Sequence, residues 1–422
     1  DYLIDRGIRF TNVTSIFPSI TMASQASIVM GAYPKTTGIT GNQWFGREMS
    51  PLEYQKYSIG VWYDNLTWIG EGTANRDIFS GSEMIYEAAN DEGLNATVVA
   101  HHYFKNKSGD NHWLRPIIDG AYYLAGDYES ADRWVVTNFK LSTYWPGYRN
   151  PDILMMYLPG LDGKTHENGP DVQWEYVNNS VDNNVGRIVN TLMDLDMYNN
   201  TLLVLVSDHG HYDSSIQVTR NETEDDVRAA GYDIIECYVP LWCYNSNLEP
   251  WQGYDGYQDY SQSNAVVAPN GGMTQIYIRG ENDEWGDLPD FSDLEPLLEY
   301  FDEHDTHIDT ILYANHTAKT YYAYLAGETY TLEDYFSGYD NVYPSAVTRL
   351  ENFYSNRSGD VIILADETSG CYFDEDDQVG DHGGLEYEES MVPLVFAGPY
   401  LKHGSNSTRV SNVDIAPTIG DL

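Results

Sequence analysis

Three short stretches of this chain carry residue types that bind divalent metal ions: Asp162 to His166, Asp208-His209 and Asp381-His382. Carboxylate and imidazole together suit hard-to-borderline ions, zinc being the typical one. Upstream of all three lies a hydroxyl-rich turn, Ser15-Ile16-Phe17-Pro18-Ser19-Ile20-Thr21. Metal coordination lowers the pKa of a hydroxyl and makes it a nucleophile near neutral pH, so the combination points to a two-metal hydrolase.

The flanking sequence indicates how these residues are positioned. Short β-branched runs, expected as buried strands, cover 96–100, 153–158, 202–206, 275–278, 310–313, 361–364 and 392–397. They alternate with helical patterns, which predicts an α/β fold with a largely parallel central sheet flanked by helices on both faces. Ligands in such folds collect at the carboxyl ends of strands, where Asp162 and Asp208 both fall. The Asp162–His166 stretch reads as a Gly-containing loop, and Gly210 as the residue that lets the backbone turn after His209. His211 is expected outside the ligand set, supporting it or facing solvent. Val177, Val181, Val185, Ile188, Leu192 and Leu195 recur at helical spacing, predicting a helix over 172–195 that crosses between the 153 and 202 strands. A second helix is expected over 22–30, ended by Gly31. Its free N–H groups suit a bound phosphoryl or sulfuryl group, and Thr21 also qualifies as its cap.

Two regions read as insertions, 244–272 and 280–305, and the span 244–305 is a candidate cap over a single domain covering 1–422. Both chain ends read as cut from a longer precursor. No apolar run is long enough to span a membrane, which leaves an anchor elsewhere open.

Composition narrows the function classes. The 422 residues hold 65 Asp+Glu against 22 Lys+Arg, a net charge of −43, while 42% are hydrophobic. The apolar content supports a folded globule. The acidic surface repels phosphate backbones, which argues against duplex nucleic acid as a partner, and suits a high-salt setting. Asn-X-Ser/Thr sequons occur at Asn12, Asn65, Asn95, Asn106, Asn178, Asn199, Asn221, Asn315, Asn356 and Asn406. They predict N-linked glycans on exposed loops and an extracellular or cell-surface location. Cys237, Cys243 and Cys371 are an odd set, so at most one bridge forms, Cys237 with Cys243 being nearest in sequence.

In order and spacing these anchors resemble the alkaline phosphatase superfamily and, within it, the type I phosphodiesterase/nucleotide pyrophosphatase family. The likeness begins at Phe17-Pro18-Ser19-Ile20-Thr21 and runs through Ser27-Ile28-Val29 and Gly31-Ala32-Tyr33-Pro34 to Gly38-Ile39 and Asn42. Asp162-X-X-X-His166, Ser207-Asp208-His209-Gly210 and His382 with Pro393-Leu394 follow in the family's order. The resemblance implies hydrolysis of a small-molecule phosphoester through a phospho-threonine at Thr21. It implies that Asp208 and His209 share one zinc with Thr21, while Asp162, His166 and His382 hold another. It also implies a phosphate contact at Ser24 and a further carboxylate ligand on a strand upstream of the turn. A sulfatase or phosphonate hydrolase of the superfamily is a competing reading, although no Cys/Ser-X-Pro-X-Arg motif occupies the turn. A surface glycoprotein that keeps the fold without catalysis is another.

Overall fold

A computed structural model describes residues 2–47, 82–101, 112–114, 122–143, 150–234, 263–280, 285–304, 306–374, 376–399 and 401–422. Cys237, Cys243, Asn65 and Asn106 lie outside the described residues. So does much of the expected cap.

Strands fall where the β-branched runs predict them, within a residue or two at most ends. They are grouped into three larger sheets and several two-stranded ladders. One sheet of four runs in the order Gly404–Asn406, Gly7–Phe10, Leu394–Ala397, Leu203–Val206. Two of its three pairings are antiparallel, with Phe10 opposite Leu394 and Leu394 opposite Val206, and the third is parallel. A parallel sheet of three places Ala96–Val99 between His112–Leu114 and Ile153–Met156. A third sheet, of six strands, is antiparallel throughout. The α/β class is as expected, but parallel pairing does not dominate the described sheets. Burial varies among the expected strands, Ile153–Met156 being half-buried and Leu205 of Leu203–Val206 exposed, and a continuous apolar run leaves strand direction open.

The six-stranded sheet shows this directly. All of Val361–Ala365 is buried, with alternate side chains entering different cores. Val361 and Ile363 face Leu294, Leu297, Leu298 and Phe301, whose spacing lines one side of the helix Phe291–His304. Ile362 and Leu364 face Leu350 and Phe353. Parts of both expected insertions are therefore built into this sheet: Ala265–Asn270 is its edge strand, and the Phe291 helix covers a face.

The expected helix over 172–195 is present as a helical run. A π-helical stretch at Val177–Val181 leads into Asp182–Asp194. The strands that it connects, Ile153–Met156 and Leu203–Val206, belong to different sheets, so the run is not a crossover between paired neighbours.

Thr21–Met30 is the helix on which the site depends, and Thr21 through Val29 are all buried. Its Met22, Ala26, Ile28 and Val29 share one core with Leu394 and Phe396 of the first sheet and Val98 of the parallel sheet. The helix is thus buried on every side, its polar Thr21, Ser24, Gln25 and Ser27 included. Gly31 closes it in the left-handed region at φ 61° and donates its N–H to the Ser27 carbonyl.

Candidate metal centre and nucleophile

The turn before Thr21 is held from two cores at once. Ile16 and Ile20 enter the core of the Thr21 helix, while Phe17 enters the other and packs edge-on to Phe353 at 4.9 Å. The Phe17–Pro18 peptide is cis. Arg349, 1% exposed, fastens the same turn. One guanidinium nitrogen donates to the Ile16 carbonyl at 3.0 Å and Ser19 Oγ at 2.7 Å. The other reaches Ser390 Oγ at 2.7 Å and the carbonyls of Leu385 and Pro344.

Thr21 is the first helical residue and Ile20 occupies the cap position, so the hydroxyl is not spent on capping. It lies instead 3.0 Å from His209 Nε2. The side-chain cap comes from Asn42, whose Oδ1 accepts the Met22 N–H at 3.1 Å. Asn42 carries no such signal by residue type alone, because the contact spans a loop.

Asp208 and His209 follow the end of Leu203–Val206, as predicted. Gln25 of the Thr21 helix donates to Asp208 Oδ2 at 3.0 Å, tying the carboxylate to the nucleophile's helix. Gly210 is needed for room rather than for its φ. A Cβ there would sit 2.2 Å from the Glu388 carbonyl oxygen, and its N–H donates to the Glu389 carbonyl.

Asp162 and His166 lie on a helix, Gly160–Asn168, and not on the loop predicted for them. The four-residue spacing places both on one helical face, with His166 Nε2 at 3.4 Å from Asp162 Oδ1. Asp132 anchors this helix: its Oδ1 accepts the Gly160 N–H at 2.8 Å and its Oδ2 accepts the Tyr176 hydroxyl at 2.9 Å. His382 comes in from beyond the short strand Gly380–Asp381. Its Nε2 lies 3.5 Å from Asp162 Oδ1 and 3.2 Å from His166 Nε2.

Sequence reasoning missed His211. Its Nε2 stands 3.2 Å from Asp162 Oδ1, and it is 7% exposed. The reason lies in strand pairing: Tyr212 pairs with Asp381, which brings the residue before Tyr212 alongside His382. No local pattern in Asp208-His209-Gly210-His211 announces that pairing.

These residues fit a divalent ion. Asp162, His166, His211 and His382 each offer a ligand atom, all within 4.8 Å of one another. The Nδ1 atoms of His166 and His382 face the carbonyls of Gly380 and Ser19 at 2.7 and 3.2 Å. That arrangement turns each Nε2 towards the ion, as in established metal sites. Asp162 Oδ1 is buried and makes no well-directed hydrogen bond despite three ring nitrogens within 3.5 Å.

Charge is unevenly distributed within the cluster. Burial pushes the Asp162 carboxyl up, but the surrounding imidazoles, the charge on His166 foremost, outweigh it and hold the group well below its usual range. Burial lowers His166 as well, yet Asp162 raises it to about 10. Burial keeps His211 neutral, pushed down to about 4, and drives His382 in the same direction.

Ser24 lies on the Thr21 helix. It is fully buried, and its hydroxyl lies 2.9 Å from Ser15 Oγ, which donates to the Asp208 carbonyl. Asn95 is unsuited to carry a glycan. It is 2% exposed and its amide donates to the Asn150 carbonyl, whereas Asn178, Asn199, Asn221 and Asn356 are exposed and Asn12, Asn315 and Asn406 half-buried.

Residues 1–385 match the family described as type I phosphodiesterase / nucleotide pyrophosphatase. The chain belongs to that family. It is 26% identical over 212 residues to an uncharacterized pyrophosphatase/phosphodiesterase of Schizosaccharomyces pombe, a match covering 49% of this chain and 39% of that protein. Against the Rattus norvegicus ectonucleotide pyrophosphatase/phosphodiesterase family member 1 it is 25% identical over 206 residues, 47% of this chain and 20% of the relative. The chain thus spans less than half the length of these curated relatives. Among solved structures, murine ectonucleotide pyrophosphatase/phosphodiesterase 5 superposes with a TM-score of 0.62 at 15% identity, covering 100% of this chain and 88% of the other. An inactive variant of that murine protein in complex with AMP gives 0.60 at 14% identity, covering 100% and 87%. At these identities the two structures establish the α/β fold.

Proposed function

We propose that the family member containing this chain is a metal-dependent hydrolase of phosphoric esters with Thr21 as its nucleophile. The observation that carries this reading is the Thr21 hydroxyl, 3.0 Å from His209 Nε2 at the start of a buried helix and beside the Asp162 cluster.

Asp162, His166 and His382 would hold one divalent ion, and Asp208, His209 and Thr21 the other, zinc being the expected element. Bound ions supply Lewis-acid stabilisation of the phosphoryl oxygens and a lowered hydroxyl pKa. The chain's own groups do the rest. Gln25 fixes Asp208. The helix N-terminus presents positive potential to the phosphoryl group. Asn42 spends its oxygen on the Met22 N–H, which leaves its amide N–H groups to serve a phosphoryl oxygen. In the first step a Thr21 Oγ1–P bond forms as the ester P–O bond breaks; Thr21 gives up its hydroxyl proton to solvent, and the alkoxide that leaves with the bonding pair takes one up to become the alcohol. Water then cleaves the Thr21 ester and restores the hydroxyl.

A nucleotide phosphoester is the first substrate class to test, since a structural neighbour is described in complex with AMP. The exposed sequons support an extracellular or cell-surface setting with N-linked glycans. Thr21→Ala is expected to abolish turnover of an aryl phosphodiester while leaving the circular-dichroism spectrum and melting unchanged. Retained turnover in that variant would overturn the assignment, and absence of turnover in the parent with two ions bound would favour a non-catalytic role.

A further inference from the structure

Distances within the Asp162 cluster make a statement about His211 that goes beyond the three-ligand set, and it rests on the metal-centre reading above. A tetrahedral ion with bonds of about 2.0–2.1 Å separates its ligand atoms by roughly 3.3–3.4 Å. Asp162 Oδ1 lies 3.4 Å from His166 Nε2, 3.2 Å from His211 Nε2 and 3.5 Å from His382 Nε2. His166 Nε2 and His382 Nε2 are 3.2 Å apart. Four of the six edges of one tetrahedron are therefore in place. His209 falls outside it, its Nε2 4.0 Å from Asp162 Oδ1 and 3.0 Å from Thr21 Oγ1.

A histidine that only oriented Asp162 would bond the carboxylate oxygen pointing away from the ion. His211 meets the same Oδ1 as the other two imidazoles. Its Nε2 is buried and has no well-formed hydrogen bond, a costly state for a ring nitrogen unless something engages its lone pair.

We propose that His211 is a fourth protein ligand, completing with Asp162, His166 and His382 a closed tetrahedral site. Four protein ligands characterise structural zinc, whereas catalytic zinc keeps a position open. His211 takes the position that water or a substrate oxygen would occupy in a three-ligand site. The substrate-facing role then falls to Thr21, Asp208 and His209.

Cobalt(II) tests this, because its visible absorption is intense in a four-coordinate site and weak at higher coordination. In the chain carrying Asp208→Ala, which keeps all four ligands, one equivalent of cobalt should give an intense band that added inorganic phosphate leaves unchanged. Introducing His211→Ala or His211→Gln should weaken or shift the band, make it respond to phosphate, and lower zinc affinity in chelator competition by more than about 100-fold, beyond the effect usual for an outer-shell partner. A weak, phosphate-sensitive band with His211 present would overturn the proposal without reliance on any His211 variant. So would an affinity that both His211 variants leave within tenfold. His166→Ala separates the two readings: an ion lost there but kept in the His211 variants refutes only the fourth ligand. A parent chain that binds no ion refutes the metal centre itself.

Discussion

The two halves of the site differ in how their donors are brought together. Asp162, His166, His211 and His382 come from a helix, from the residue before one short strand and from the residue after its ladder partner. Backbone carbonyls of Gly380 and Ser19 set two of the ring orientations. Asp208 and His209 come from one strand end, and His209 Nδ1 faces the carbonyl of its own neighbour Gly210 at 3.0 Å. The third donor proposed for that half is Thr21, 3.0 Å from His209 Nε2. One half draws its donors from separate elements of the fold, whereas the other includes Thr21, the proposed nucleophile. On the proposed reading, the anchored half would keep its ion while the half containing Thr21 takes part in the reaction.

That contrast is broken most forcefully at its shared vertex. Asp162→Ala removes the oxygen on which three imidazoles converge, and should release the ion of the anchored half. Turnover is expected to fall roughly 10⁴-fold, about 5.5 kcal/mol of transition-state stabilisation. Asp208→Ala should lower turnover too, yet keep one equivalent of metal by elemental analysis. Loss of both ions in the Asp208 variant would show that the halves are not independent.

The contrast sharpens next at Arg349, which ties the nucleophile turn to Leu385 and Ser390 downstream of His382. Arg349→Met deletes five hydrogen bonds from a buried position. At about 1 kcal/mol each, partly recovered by relaxation, it should cost roughly 4 kcal/mol in urea unfolding. A loss below about 1 kcal/mol would mean that the turn is held by the Phe17–Phe353 contact and its cores instead.

How much of this was legible beforehand follows from the range of the interactions. Thr21, Asp208 and His209 were readable because each sits at an element end whose local sequence names it: a hydroxyl turn opening a helix, or an apolar strand running into Asp-His-Gly. The burial of Val361–Ala365 was equally plain, since a continuous apolar run needs no partner to announce it. Its antiparallel pairing was not, because direction is decided by neighbours distant in sequence. Long-range geometry also decides the roles of His211 and Ser24. The first is carried to His382 by the Tyr212–Asp381 pairing, and the second is turned inward onto Ser15. The helical placement of Asp162 and His166 was obscured by Gly160 and Gly163, which read as loop residues. Both are required for close packing, as a Cβ at Gly160 would lie 2.0 Å from the Tyr176 hydroxyl and one at Gly163 2.3 Å from the Tyr128 ring.

The smallest expected effect concerns the helix that carries half of the anchored set. Asp132, which receives the Gly160 N–H, is fully buried, and that burial outweighs its hydrogen bonds to raise its pKa to about 6. Because this lies above the unfolded value, the folded chain holds the proton more tightly between about pH 4 and pH 6. The stability contributed is complete below about pH 4 and is lost as the pH rises through 6. A difference of about two units corresponds to at most about 3 kcal/mol. Asp132→Asn keeps an oxygen for the Gly160 N–H and removes the titration. Subtracting its unfolding free energy from that of the parent across pH 4–7 should therefore give a curve that falls with pH by that amount. A flat difference curve would show that Asp132 is ionised throughout. The helix bearing Asp162 and His166 would then be anchored by a charge rather than by a neutral carboxyl.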